Sequence, residues 1–391
     1  MEIQEYRLES VCTVITDGSH YSPSPVKNGK PMLSVKDMAE YCFDYTSCKR
    51  ISDDEFELMV KNGCVPKKGD VLVAKDGSFL KHIFVQKEDK AEAILSSIAL
   101  FRPDQIVINS EFLCYYLKNP ITNQFIKDNC VSGSAIPRIV LKDFKSLKIS
   151  IPPLHTQEKI VSILGLIDNL IQCNSKLNDY LVEIAQELFT EQFGAMLLDV
   201  EPPAGWKKGH YDDIIMIHDS KRIPLSGNER ENMDRIYPYY GAASVAGYVD
   251  NYIFDGIYLL FGEDGTVIDE KGNPSLQYVW GKFWVNNHAH ILTGRNGFSV
   301  ESLFLLSKQL KVESIITGAV QPKISQNSMK NVALNIPPEY MMSSFDEVIA
   351  PIFDQYRNNC DENQRLSILR DTLLPKLMSR EIDISNLDLG S

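Results

Sequence analysis

Residues 132–153, SGSAIPRIVLKDFKSLKISIPP, align without a gap on residues 317–338, TGAVQPKISQNSMKNVALNIPP. Gly133/Gly318, Pro137/Pro322, Ile139/Ile324, Lys145/Lys330 and the two IPP triplets are identical at this constant offset. A long internal period means that one structural plan is built twice, and it has to be recognised before any fold is assigned. Each copy of the repeat runs straight into a long helical pattern.

In the first helix, apolar residues step by threes and fours from Ile160 through Ile163, Ile167 and Leu170. The stripe continues through Asn174 to Leu177, Leu181, Ile184 and Leu188. A heptad stripe sustained this far predicts a helix–helix seam, since one helix cannot bury it alone. The repeat supplies a partner in the same phase: Phe345, Val348, Ile352, Gln355, Asn359, Glu362, Leu366, Leu369 and Leu373. If the two helices pair antiparallel, Asn174 comes level with Gln355, Asn359 and Glu362, a polar layer that would set register. Ser344 and Glu347 have capping-box spacing near the start of the second helix. Pro351 predicts a bend in it, and Pro375 a stop near Leu374. The stripe from Ile160 to Leu188 would span ~42 Å, more than the roughly 34–36 Å between major-groove sites one turn apart. Such a pair could act as a ruler.

A chain of 391 residues can hold two or three domains with separate cores. The net charge of −12 argues against a polyanionic partner until it is mapped. Residues 1–150 are neutral and 206–338 carry −1, while 151–205 carry −6 and 339–391 carry −5. The acidity sits in the helices, so both globular blocks remain eligible for nucleic acid, which responds to local patches. No apolar run reaches the roughly 20 residues of a membrane span. The opening MEIQEYRLES lacks the regions of a signal peptide, so a cytoplasmic protein is expected. Eight cysteines without a C-x-x-C pair suggest neither a zinc ribbon nor a redox motif, and reduced structural thiols are expected.

The first block, 1–150, opens with an apolar alternation ending in the loop Asp17-Gly18-Ser19-His20. GDVLVAKDGS predicts a buried strand closed by an Asp-Gly turn, AILSSIALF a further apolar run, and EFLCYYLKNPITNQFIKD a helix. After the first long helix, 151–193, the Gly- and Pro-rich 194–205 reads as a linker into the second block, 206–338. There DGIYLLFGEDGT parallels GDVLVAKDGS, so Asp76-Gly77-Ser78 and Asp264-Gly265-Thr266 recur. A second long helix over 339–378 and a short tail, 379–391, complete the chain. The fold class is α+β, with two similar mixed α/β blocks separated by two long antiparallel helices in an intramolecular coiled coil.

The paired IPP-plus-helix units, the closing LRDTLLPKLMSREI, and KRIPLS, YPYYGA, YIFDG and WVNNHAH in the second block resemble the specificity subunit of type I restriction-modification systems. The resemblance spans essentially the whole chain. It implies two target recognition domains reading a bipartite, asymmetric double-stranded DNA target, with no catalysis by this chain. It also implies methylation subunits docked on the helices and restriction subunits joining them. S-adenosylmethionine, ATP and Mg would belong to those partners, with no cofactor on this chain. Two other classes fit parts of the pattern: a two-domain coiled-coil scaffold or adhesin without DNA binding, and a metal-dependent hydrolase using Asp264, His288 and His290.

Candidate DNA contacts are loop residues with donors. In the first block these are Ser19, His20, Lys75, Lys81, Ser134 and Arg138. In the second, Lys221 and Arg222 could grip phosphate or pair with guanine, or lie in a solvated turn. Asn287 and His288 could read base edges or satisfy buried backbone. Tyr239 and Tyr240 could stack on bases or pack the core. Gln321 and Lys323 belong to the repeat, where Pro137-Arg138 and Pro322-Lys323 keep a basic residue at both positions. His288 and His290 would share one face of a strand, but no third ligand stands near them in sequence, so no metal is assigned.

Overall fold

The structure, a computed structural model, describes residues 4–132, 138–197, 201–269, 272–318, 321–384 and 387. The chain divides into two compact units, Met1–Gln172 with Asn363–Ser391, and Cys173–Glu362. Each contains one α/β head and a share of both long helices, Leu154–Phe193 and Glu339–Ser379.

In the first unit an antiparallel sheet runs Cys12–Asp17, Ile98–Pro103, Val71–Ala74, Ile83–Val85. A smaller sheet runs Lys49–Ile51, Lys30–Leu33, Ala93–Ile94, its last pair parallel. The run Val71-Leu72-Val73-Ala74 is apolar throughout because it is covered on both faces. Val71 and Val73 enter the core shared with helix Ser110–Lys118, while Leu72 and Ala74 pack on the side of the smaller sheet. The expected helix over EFLCYYLKNPITNQFIKD is two helices, Ser110–Lys118 and Pro120–Asn129. Asn119 caps the second through the Ile121 amide at 3.3 Å, and Pro120 occupies its first turn, where a missing N–H costs nothing. Gln4–Arg7 pairs antiparallel with Lys148–Ile151, closing the head where the first long helix leaves it.

The second unit follows the same plan. One sheet runs Ile215–Ile217, Ala289–Gly294, Tyr258–Gly262, Leu276–Val279. The other runs Val245–Val249, Tyr237–Tyr240, Lys282–Val285, Phe254–Asp255, again with one parallel pair. Leu259 and Phe261 face one core and Leu260 the other. Lys207–His210 pairs with Ala333–Ile336, as the corresponding strands do in the first head. The stretch expected as a linker begins as a 3-10 turn, Gly194–Leu197, with Phe193 and Met196 buried in the core.

The long helices pack antiparallel within each unit, but on a face rotated from the expected stripe. Buried positions on the first helix are Ile160, Leu164, Ile167, Ile171, Asn178, Ala185 and Phe189. Ile163, Leu181 and Leu188 are half-buried, whereas Leu170, Leu177 and Ile184 are 50%, 43% and 48% exposed. On the second helix Asn359 is buried, Ile352, Leu366 and Leu373 are half-buried, and Leu369 is exposed. The helix has two apolar ridges, and one of them is buried, Leu164 in the core of the first unit and Ala185 and Phe189 in that of the second. Phe189 also packs edge-on against Phe345 of the second long helix.

The polar layer exists, shifted by one helical turn. Asn359 Nδ2 donates to Asn178 Oδ1 at 2.8 Å, and Gln355 donates to Asn359 Oδ1 at 2.7 Å. Asn178 Nδ2 in turn reaches the Tyr356 carbonyl at 3.2 Å. Asn174 donates to Glu362 at 2.8 Å, as the antiparallel alignment requires. In the first unit Asp168 accepts from Tyr115 at 2.6 Å, Tyr41 at 3.0 Å and Arg370 at 3.0 Å. One carboxylate thus joins both long helices to the head.

Pro375 does not stop the second helix, which runs without interruption through Pro351 and Pro375 to Ser379. Pro351 is exposed, so its ring and the carbonyl it leaves unpaired face solvent rather than a packed neighbour. Leu374 and Leu377, on either side of Pro375, are buried and hold the helix in place.

Asn178→Ala strands the Asn359 amide and should cost about 1–3 kcal/mol in denaturant unfolding. The Asn178→Leu, Asn359→Leu double variant should recover most of that loss. Asp168→Ala, which removes the acceptor of the Tyr115 and Tyr41 hydroxyls and one of three carboxylates around Arg370, should cost about 3 kcal/mol by the same measurement.

Candidate nucleic-acid interface

One corner is built alike in both heads, at the strand ends where the Asp-Gly turns lie. In the first head, Asp17 ends its strand and receives Lys75 Nζ at 2.6 Å, an ion pair almost wholly buried. His20, three residues on, stands 3.4 Å from the other oxygen of Asp17 with its side chain 77% exposed. Asp76 forms a bridge with Arg138, and the Ile139 amide donates to the Lys75 carbonyl at 3.0 Å. Arg138 is exposed.

The second head repeats the backbone and changes the side chains. Asp264 bridges Lys323, and the Ile324 amide donates to the Glu263 carbonyl at 2.9 Å. Glu263 therefore stands where the first head has Lys75. Asp219 takes the place of Asp17, with Arg222 three residues on at 3.3 Å. Arg222 also donates to Glu263 at 2.5 Å, and Lys323 lies 3.3 Å from the other Glu263 oxygen with its side chain 47% exposed. The charge order is inverted: a buried lysine held by aspartate in one head, a buried glutamate held by two cations in the other.

His290 completes this network. It is fully buried, with Nδ1 2.6 Å from Asp219 and Nε2 2.9 Å from the Ile324 carbonyl. A carbonyl only accepts, so Nε2 is the donor there, while Nδ1 faces the Asp219 carboxylate. Burial works against the ionised Asp219, but the bonds from His290, the Ile291 amide and Gln326 outweigh it and hold its carboxyl below the usual range.

Asp219, Glu263 and His290 bring ligand atoms within 4.8 Å of one another, so the structure supplies the third ligand that spacing did not. The arrangement does not fit a metal. Arg222 and Lys323 already neutralise the carboxylates, and both His290 nitrogens are engaged. The Asp264, His288 and His290 grouping also separates. His288 lies 3.6 Å from Asp264, half-exposed, while His290 turns inward to Asp219.

The other candidates divide by exposure. Ser19 is buried in its own turn, donating to the Tyr21 carbonyl at 2.7 Å, and Lys75 is committed to Asp17. Tyr239 is 2% exposed and shares hydrogen bonds with the Leu225 backbone, so its ring packs and has no free face for a base. Tyr240 packs edge-on against Phe283. Arg222 is spent on internal ion pairs. Lys81, Lys221, Asn287 and Gln321 are exposed. Lys81 lines a cavity of about 380 Å³ with Lys118 and Arg370 rather than the corner. Ser134 lies outside the described residues. Asp17, Asp219 and Glu263 were missed, although for the first two an acid three residues before a basic side chain, in both blocks, was a usable signal.

A family model described as the type I restriction modification DNA specificity domain matches residues 1–182 and 203–369. The MjaIX specificity subunit of Methanocaldococcus jannaschii is 24% identical over 388 residues, spanning 91% of this chain and 88% of that protein. The EcoprrI specificity subunit of Escherichia coli is 21% identical over 315 residues, 78% of this chain and 76% of that one. Among solved structures, an S subunit of the type I restriction-modification system from M. genitalium is similar in fold, with a TM-score of 0.53 at 17% identity and 96% of each chain covered. Two copies of one domain, on two heads of one topology, show that this chain belongs to the type I restriction-modification specificity subunits, the DNA-recognition component of those systems rather than a catalytic one.

Proposed function

We propose that each head reads one half of a bipartite, asymmetric double-stranded DNA target. The observation that carries this reading is the duplicated corner, where the backbone is kept and the exposed chemistry differs. Contacts to phosphate orient a protein on DNA while base-edge contacts give sequence preference. Arg138 and Lys323, kept basic at equivalent places and presented outward, suit the first role. His288, Asn287, Lys221 and Gln321 around the second corner are available for the second.

The partners in this reading are methylation subunits docked on the long helices, with restriction subunits joining them. Its support is the ridge that the heads leave uncovered. Leu166 and Leu170 in the first unit, and Leu177, Tyr180 and Ile184 in the second, are large, apolar and exposed at helical spacing. Exposed apolar surface of this kind marks a protein interface. S-adenosylmethionine, ATP and Mg would be bound by those partners and not by this chain.

Mapping methylated bases in cells that carry this chain with its partners should reveal a split site. Exchange of residues 206–338 for a relative's block should alter one half only; a change in both halves would defeat the reading. Arg138→Ala and Lys323→Ala should each weaken binding across all sequences and lower the salt slope of log K by about one. Leu177→Lys with Ile184→Lys should abolish co-purification of the methylation subunits while leaving the unfolding midpoint of the free chain unchanged.

A further inference from the structure

In the second head, residues 221–236 leave the first strand and cross the outer face of the sheet that contains Tyr237–Tyr240. The sheet holds this segment at three places. Trp284 Nε1 donates to the Ile223 carbonyl at 2.6 Å, and the Tyr239 hydroxyl meets the Leu225 amide at 3.1 Å. Arg230 donates to the Ala246 carbonyl at 3.1 Å with its guanidinium 4.7 Å from the centre of the Tyr239 ring. Between these anchors Ser226 and Glu229 form a capping box on the short helix Gly227–Glu231. The segment is irregular and exposed, yet its backbone is pinned by aromatic side chains. Such a loop can present side chains in fixed positions.

Beside strand Val245–Val249 the segment forms an open groove of about 470 Å³, lined by Gly227, Arg230, Glu231, Arg235, Gly247 and Tyr248. Arg235 and Glu231 are exposed and make no ion pair with each other or with any other described residue. Arg230 Nε is buried in the same place without a hydrogen-bond partner. A Cβ at Gly247 would stand 3.0 Å from Arg230 Nη1, so only glycine leaves that guanidinium undisturbed. The groove thus has both a guanidinium fork, Arg235, and a carboxylate, Glu231, in its lining.

That pairing of charges decides between ligands. A phosphate would be drawn to Arg235 and repelled by Glu231. The major-groove edge of a G·C pair offers two acceptors, guanine O6 and N7, next to one donor, the cytosine amino group. Arginine matches the first pattern with two parallel bonds, and a carboxylate accepts from the second. We propose that this groove reads a G·C pair in the half-site addressed by the second head, with Arg235 on guanine and Glu231 on cytosine. Arg230, held against Tyr239, is a positioning residue that fixes the wall of the groove. The proposal rests on the DNA-reading assignment above and names its chemistry.

The test uses the full complex of this chain with its methylation subunits, with methylated sites mapped for wild type, Arg235→Ala, Arg235→Lys and Glu231→Gln. The half-site that changes on exchange of residues 206–338 should contain a G·C pair. Arg235→Ala should reduce discrimination at that pair by about ten- to a hundredfold and leave the other half unchanged. Arg235→Lys, which keeps the charge and loses the fork, should fall between, and Glu231→Gln should relax the same pair. A half-site without a G·C pair overturns the proposal, as does wild-type specificity in Arg235→Ala or a uniform loss of affinity over all sequences. If Arg235→Ala proves unstable, Glu231→Gln decides by the same criterion. A wild-type complex that modifies no split site overturns the underlying reading as well, whereas failure of the variants alone overturns only the groove.

Discussion

Antiparallel packing of the two long helices depends on buried polar groups that find their partners across the seam and in the heads. Asn359 donates a hydrogen bond to Asn178 in the second unit, and Asp168 draws Arg370, Tyr41 and Tyr115 together in the first. An apolar seam tolerates sliding by a turn, because leucine against leucine is nearly as good in either register. A buried amide or carboxylate does not, since every shifted register leaves it desolvated and unpaired. The helix register within each unit follows from these few bonds.

On that frame the chain repeats a backbone and varies its charges. The bridges Asp76 to Arg138 and Asp264 to Lys323 hold the same turn against the same strand end in the two heads. Around them Lys75 with Asp17 is replaced by Glu263 with Arg222, Lys323 and His290. Each set is internally neutralised, so the corner is stable with either sign at its centre. This freedom allows two recognition surfaces to diverge on one fold: the buried pair can invert, provided that its counter-charge inverts with it.

The loop residues show where sequence reasoning stops. Arg222, Tyr239 and Lys75 carry groups that suit DNA, and the fold uses all three internally, as an ion-pair partner, a packed ring and a buried counter-ion. Arg235 and Glu231 stand in an unremarkable charged stretch, NERENMDRI, and come to line one groove where Trp284 and Tyr239 pin the backbone that leads into it. Donor chemistry is a property of the residue, but availability is a property of its surroundings.

The duplication, the two long helices, the Asp-Gly turns and the buried strands were legible in the sequence. They rest on periodicity and on residues whose backbone preferences are local. The choice of helix ridge was not legible, because Leu170, Leu177 and Ile184 make as good an apolar stripe as Leu164, Ile171 and Phe189 until a head packs against one of them. Neither was the continuation of the second helix past Pro375, where the buried Leu374 and Leu377 offset the local cost. Local sequence therefore determined which elements form and how often the plan recurs. Tertiary packing decided which faces are spent on the interior and which are left for partners, because burial is a competition among all the surfaces of the folded chain.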